Sequence, residues 1–220
     1  MSHHLTKDIV ACWLFNAPSG LRLIDSSPYQ HNLNYVNTTQ QRASYNGQYF
    51  DTSIFATTPD TNALRLGAVW TMLLYFKKVE SVALKIVLTK GTGADINQYG
   101  IRTNGTDDFT VTEGATDRLT ISGLTALDNK DTQIAIVSRP GSSEAYVNTI
   151  SKVTGAQYTS AFMAGVGTVF GVGYSDVAWW GGATGSPKMF WHMIALYKNR
   201  ALTAKEIMEH YLSPYDMFLR

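Results

Sequence analysis

The chain is predicted to be all-β: a two-sheet antiparallel sandwich of jelly-roll type, closed by one short C-terminal α-helix. Three observations lead there. Short apolar runs recur along the whole length, each ended by Gly, Pro, Asn or Asp. Ser and Thr make up 40 of the 220 residues, a bias towards strands and turns and away from helices. Helical spacing with both end signals occurs once, over residues 203–212. No repeat, low-complexity tract or linker divides the sequence, so residues 9–220 are read as one domain behind an N-terminal arm, residues 1–8.

The strands follow in order. Val10-Ala11-Cys12-Trp13-Leu14-Phe15 is an unbroken apolar run, as a strand buried on both faces would be, and it stops at Asn16-Ala17-Pro18. Strands are then predicted over 45–50, 69–77, 82–89, 99–103, 109–113 and 118–122. The second half adds 132–138, 145–148, 151–154, 168–172 and 188–198. About a dozen strands at this spacing make a sandwich or jelly roll.

The helix is argued from its ends. Thr203 is the N-cap, Glu206 its reciprocal partner three residues on, and Leu202 with Ile207 form a hydrophobic staple. Ile207, Met208, Tyr211 and Leu212 supply an apolar stripe expected to dock the helix, and Pro214 ends it.

Composition excludes several function classes. Lys and Arg number 18 against 17 Asp and Glu, a net charge of +1 with no basic stripe, so nucleic acid is not an expected partner. At 45% hydrophobic and 12% aromatic the chain should fold. No apolar run approaches the ~20 residues a membrane helix needs, and no membrane partner is expected. The N-terminus shows no secretory leader, so synthesis in the cytoplasm is expected. A lone cysteine, Cys12, rules out an intrachain disulfide; in an apolar strand it reads as a buried, inert thiol.

Catalysis finds little to work with. Glycoside hydrolysis needs two carboxylates facing one sugar. Of five glutamates, Glu206 and Glu209 lie on the terminal helix and Glu80 in a turn. Glu113 and Asp117 are four apart across a hairpin turn and read as solvated charges; neither they nor Glu144 is expected to support turnover. There is no G-x-S-x-G elbow, no phosphate loop and no histidine pair at metal-binding spacing. His192, inside an apolar run, reads as a hydrogen-bonded core or interface histidine. No cofactor is expected. Calcium is the one ion the loops could hold, through Asp25 with Asn32 or through Asp95 with Asn97, although such residues also serve simply as turn formers.

For binding, the segment from Ser175 to Gly182 stands out. Trp179 and Trp180 are adjacent, so on an extended chain they face opposite ways and at most one is core; the other can stack on a sugar, wedge against a partner subunit or lie against its own sandwich. Asp176, Asn97 and Gln98 are the polar loop residues assigned to the same candidate surface.

The residues also carry a family resemblance that spans about 9–218. Ala11-Cys12-Trp13-Leu14-Phe15-Asn16, Gly20 and Asp25-Ser26-Ser27-Pro28 resemble the first strand and Asp-x-Ser loop of the laminin-G-like, concanavalin A-like jelly rolls. Tyr45-Asn46-Gly47-Gln48-Tyr49-Phe50 and Val69-Trp70-Thr71-Met72-Leu73-Leu74-Tyr75-Phe76 resemble that family's next strands. Ala145-Tyr146-Val147-Asn148 resembles its "l-Y-v-n-G" hairpin, with Thr149 in place of Gly. The fullest match runs from Ile194-Ala195-Leu196-Tyr197 through Asn199-Arg200-Ala201-Leu202 to Glu206-Ile207, with Trp191-His192 replacing the usual Gly-x-Ile before it.

The resemblance implies the jelly-roll fold and a glycan-binding, adhesive or structural role. The Glu-x-Asp-x-x-Glu strand of the glucanase branch is absent, so its activity is not carried over. Tyr211-Leu212-Ser213-Pro214-Tyr215-Asp216-Met217-Phe218 resembles the ending of stand-alone phage-encoded members. The expectation is therefore a non-enzymatic bacteriophage virion protein decorating the head or tail. Its partners would be other virion proteins, further copies of itself or a host-surface glycan. The alternative is a carbohydrate-binding module or lectin. Near-zero net charge implies attachment by buried area rather than electrostatic steering, with the N-terminal arm and aromatic loops making contact.

Overall fold

A computed structural model of the chain describes residues 4–15, 22–36, 43–44, 47–51, 54–80, 85–90, 99–104, 108–113, 116–158, 169–174 and 185–215. These form two antiparallel sheets and one α-helix, with strands numbered in chain order. The first sheet holds β1 (Ile9–Leu14), β4 (Ala43–Ser44), β5 (Gly47–Phe50), β7 (Trp70–Lys78), β12 (Asp131–Arg139), β13 (Ser142–Val147), β14 (Ile150–Gly155) and β16 (Met189–Lys198). The second holds β2 (Arg22–Leu23), β3 (Leu33–Val36), β6 (Phe55–Pro59), β8 (Ile86–Lys90), β9 (Tyr99–Thr103), β10 (Phe109–Glu113), β11 (Thr116–Ile121) and β15 (Val169–Val172). The first runs β14-β13-β12-β7-β16-β5-β4, with β1 also on β16; the second runs β11-β10-β9-β8-β15-β6-β3-β2.

Strand alternation fills the space between the sheets. On β7, Met72, Leu74 and Phe76 face the main core while Leu73 faces the other way. Aromatic rings bridge the two sheets: Phe76 stacks on Phe109 with centroids 5.5 Å apart, and within its own sheet meets Trp191 edge-on at 5.7 Å. Trp13 stacks on Phe170 at 5.1 Å. Each such side chain, fully buried, is worth about 1.5–3 kcal/mol.

The first sheet is buried on its outer face as well, which is why β1, β7 and β16 read as continuous apolar runs. Leu73, Val137, Met193, Ala195 and Cys12 form a second cluster there, covered by Leu5 from the N-terminus and by Leu202 and Ile207 at the C-terminal helix. Residues 4–6 make a 3-10 turn, and Leu5 is 4% exposed. Within the arm, Leu5 thus packs onto the domain itself, while Lys7 and Asp8 are exposed.

Helix α1 (Ala204–Leu212) starts as its local sequence dictates. Thr203 accepts a hydrogen bond from the Glu206 backbone N–H while the Glu206 side chain accepts from the Thr203 N–H, and both staple residues are fully buried. Its docking face differs from the expected stripe. Ile207 and His210 are buried, whereas Met208, Tyr211 and Leu212 are 47%, 37% and 71% exposed. The cause lies on β16: the Tyr197 hydroxyl donates to the Leu5 carbonyl at 2.8 Å and sits 2.7 Å from His210 Nε2. With its one proton spent on Leu5, Tyr197 accepts from His210, and a polar pair draws the imidazole inward in place of an apolar neighbour.

Two local irregularities fall where the sequence departs from the motifs it resembles, at Trp191-His192 and at Thr149. At Trp191-His192, β16 carries a register shift, so Trp191 points into the main core and Met193 into the outer cluster although they are two residues apart. A regular strand would put both on one face. Gly47 packs against this bulge: a Cβ there would lie 2.3 Å from the Trp191 carbonyl oxygen, at a backbone φ of +138°. In the β13–β14 hairpin, Val147 pairs with Ile150 around Asn148 and Thr149, whose φ values of 46° and 71° are both left-handed.

The strands predicted from pattern are all found, with shifted ends: 82–89 begins at Ile86 among the described residues, 118–122 starts at Thr116, and 145–148 starts at Ser142. β2, β3, β4 and β6 were not predicted. They are short or broken by Asn, Thr and Pro, and it is pairing with neighbours distant in sequence that holds them extended.

Candidate functional site

The loop between β2 and β3 is organised by one buried carboxylate. Asp25 Oδ1 accepts from the backbone N–H groups of Cys12 (2.7 Å) and Ser27 (2.8 Å). Its Oδ2 accepts from the Ser27 hydroxyl (2.7 Å) and the His31 N–H (2.8 Å). Asn32 returns the favour, its side-chain oxygen accepting from the Asp25 N–H at 2.8 Å. The calcium candidates Asp25 and Asn32 are thus brought together, but their oxygens are turned onto the chain's own donors. A carboxylate has about four acceptor positions, and all four on Asp25 are taken, so Asp25 leaves no lone pair for a cation. Among the described residues no group of three or more His, Cys, Asp or Glu side chains is placed to hold a metal.

This loop forms one wall of an open cleft of about 490 Å³ at one end of the sandwich. His31 is fixed at both backbone groups, its N–H on Asp25 and its carbonyl accepting from Trp13 Nε1 at 2.6 Å. The imidazole lies 3.2 Å from Thr61 Oγ1 through Nε2, and its face is stacked by Tyr29 at 5.9 Å and 16°. Tyr29 itself is 55% exposed. Burial holds the His31 pKa below its ordinary value, partly offset by the Asp25 charge, which favours the neutral ring.

The opposite wall comes from distant parts of the chain: Asn62 on the 3-10 turn Asn62–Leu64, and Lys198 and Asn199 at the end of β16. Lys198 Nζ donates to the Asn62 carbonyl at 2.5 Å. Arg65 donates to Asn62 Oδ1 at 2.8 Å and pairs with Asp60 at 3.0 Å. Burial, then the neighbouring Arg65 charge, lowers the Lys198 pKa. Asn199 stands in left-handed conformation, φ 59°, with its N–H on the Val69 carbonyl. Among the described residues the lining contains no carboxylate. What it offers is an aromatic face beside amide, hydroxyl and ammonium groups.

The carboxylates considered for catalysis are engaged elsewhere. Glu113 is buried, not solvated, and pairs with Arg118 at 2.7 Å. Asp117 pairs with Arg102 at 3.0 Å. Glu144 accepts from Tyr146 and Ser151, each at 2.6 Å; these bonds and Arg139 outweigh its partial burial and hold its pKa low. His192 is buried, with Nε2 3.1 Å from Asp131. Cys12 is buried in the outer cluster; burial, then the Asp25 charge, pushes its thiol pKa well up.

Asp95, Asn97, Gln98, Asp176, Trp179 and Trp180 lie outside the described residues.

The Tyr29 cleft was not found from sequence. Its residues are scattered over positions 29–31, 61–62 and 198–199, and the signal nearest to it was the Asp-Ser-Ser-Pro loop that contributed to the family resemblance.

No protein-family model matches the chain, and no curated protein matches it in sequence. Solved structures do match in shape. A mutant sialidase of Trypanosoma rangeli displaying trans-sialidase activity superposes with a TM-score of 0.70 at 18% identity, covering 96% of this chain and 34% of the sialidase. The binding domain of Paraclostridial Mosquitocidal Protein 1 gives 0.71 at 10% identity over 97% of this chain and 54% of the other. The binding domain of botulinum neurotoxin DC, in complex with rat synaptotagmin II, gives 0.70 at 13% over 95% and 52%. The chain therefore spans about a third of the sialidase and about half of each toxin domain. At these identities the likeness is one of fold, a β-sandwich of two antiparallel sheets.

Proposed function

We propose that the chain is a non-catalytic carbohydrate-binding module whose ligand lies in the cleft at Tyr29 and His31. The observation that carries this is the exposed Tyr29 ring held flat over a backbone-pinned histidine, facing Asn62, Asn199 and Lys198 across an open cleft. An aromatic face with a few convergent polar groups is the chemistry of sugar recognition: the ring takes the C–H face and the polar groups take the hydroxyls. The absence of a carboxylate from the lining favours binding over turnover. The solved neighbours support a receptor-facing role in general terms, since one is a sialidase with sialic acid bound and another a toxin binding domain in complex with synaptotagmin.

The test is binding to a glycan panel, followed by calorimetry on the best ligand, for wild type and Tyr29→Ala. Removing an aromatic anchor of this kind should weaken binding by about thirty-fold or more. Thermal stability should hardly change, because the ring is exposed. No glycan bound, or binding indifferent to Tyr29→Ala, would sink the proposal.

A second reading concerns the setting: display of this module on a bacteriophage particle. It rests on the ending from Tyr211 to Phe218, which resembles that of phage-encoded jelly rolls. Co-purification with intact particles in fixed stoichiometry is the expected result; free protein separable from every particle fraction would exclude it.

A further inference from the structure

We infer that the saccharide taken by this cleft is acidic, with a carboxylate on the sugar unit meeting Lys198 Nζ; this rests on the carbohydrate-binding reading above. The basis is an uncompensated charge. Lys198 donates to a neutral backbone carbonyl, that of Asn62, and forms no ion pair with an Asp or Glu among the described residues. Of the carboxylates nearby, Asp60 is committed to Arg65 and Asp25 to its ring of four donors, while Asp8, whose backbone carbonyl accepts from the Lys198 N–H, forms no ion pair with Lys198 Nζ. The ionised group beside Lys198 is Arg65, a like charge, and the neutral His31 ring adds no counter-charge.

The remaining polar groups of the cleft have the same bias. Arg65 takes one lone pair of Asn62 Oδ1, and the N–H₂ end of that amide can donate to a ligand. The Tyr29 hydroxyl and the Asn199 amide can donate as well. A ligand settling on Tyr29 would strip water from the half-buried Lys198. Covered by a neutral sugar, the ammonium would exchange water for hydroxyls with no opposing charge. Covered by a carboxylate, it would gain a charge-assisted bond roughly twice as strong as a neutral one. The cleft is therefore selective by what it would leave stranded under the wrong ligand.

The experiment uses the full chain and matched probes: an oligogalacturonate and a sialylated oligosaccharide, each beside its carboxyl-reduced counterpart, with a sulfated oligosaccharide as a separate arm. Wild type is expected to bind a carboxylated probe about ten-fold or more tighter than its reduced form, with the difference shrinking as salt rises from about 50 to 300 mM. Lys198→Gln should erase that preference while leaving the residual affinity sensitive to Tyr29→Ala, and Lys198→Arg should retain most of it. Thermal unfolding should match wild type for both Lys198 variants. Equal or better binding of the reduced probes, abolished by Tyr29→Ala, overturns the acidic-ligand inference while the carbohydrate reading stands. Binding of the sulfated probe alone overturns the carboxylate assignment. Binding of no probe overturns both.

Discussion

Replacing Asp25 by Asn tests how the cleft is held in place. The substitution keeps the shape of the side chain but removes the charge and turns one acceptor oxygen into a donor. The less costly orientation puts the new amide nitrogen at the Oδ2 position, since the Ser27 hydroxyl there can rotate to accept. The His31 N–H, now 2.8 Å from that oxygen, would then face another N–H and lose its bond. Losing one charge-assisted bond costs about 1.5–3 kcal/mol. The stranded donor and the weakening of the two bonds left on Oδ1 bring the total to about 3–5 kcal/mol. For a domain of this length, that lowers the melting temperature by roughly 6–20 °C. Because the broken bond is the one on His31, glycan affinity should fall together with stability. Calorimetric unfolding of wild type and variant, with and without calcium or chelator, is the measurement. The structure predicts a large shift for the variant and no calcium response from this pair in wild type. An Asp25→Asn protein melting within about 2 °C of wild type, or wild type stabilised by calcium in an Asp25-dependent way, would refute the reasoning.

Two further outcomes follow from local geometry. Thr149 occupies a left-handed position in a two-residue hairpin turn, where a β-branched residue is strained by about 1–2 kcal/mol. After the greater unfolded-state freedom of glycine is allowed for, Thr149→Gly should gain about 0.5–1 kcal/mol and raise the melting temperature by about 1–4 °C; a lower value would show the strain is absent. Burial raises the Glu206 pKa, but the bonds from Thr203 and Arg200 outweigh it, so the folded-state value lies below the ordinary one. A carboxyl depressed in the folded state contributes stability above its unfolded pKa of about 4.3 and loses it as pH falls through the folded value. Melting curves between pH 6 and 3 should therefore fall less steeply for Glu206→Gln than for wild type, and parallel curves would contradict the capping role.

What could be read from sequence was what is decided within a few residues. The capping box needs only Thr203 and Glu206, the staple only Leu202 and Ile207, and all four behave as their spacing dictates. The stripe behind them failed because the docking face is set by β16. His210 counts as polar in any pattern, yet it is buried by a tyrosine 13 residues away whose hydroxyl is held by the N-terminal turn. Glu113 failed similarly: its place near a turn suggested solvation, but its strand turns it inward against Arg118. The Trp191 bulge was legible only as a departure from pattern, since which residue faces which layer depends on pairing with β7 and the close approach of Gly47.

The cleft belongs to the same class of feature, and its construction bears on how it could bind. None of its walls is a long free loop. His31 is tied through N–H and carbonyl to Asp25 and Trp13, the Asn62 carbonyl holds Lys198, and the Asn199 N–H is on Val69. These bonds fix the groups around the cleft, whose lining offers the Tyr29 ring and the amide and ammonium donors to a ligand. Association would then order few protein groups beyond those already fixed, and the conformational part of the binding cost would be small. A shallow site with one aromatic ring and a handful of donors can be selective only under that condition. The conservative change at Asp25, remote from the ligand itself, is therefore expected to lower affinity as well as stability.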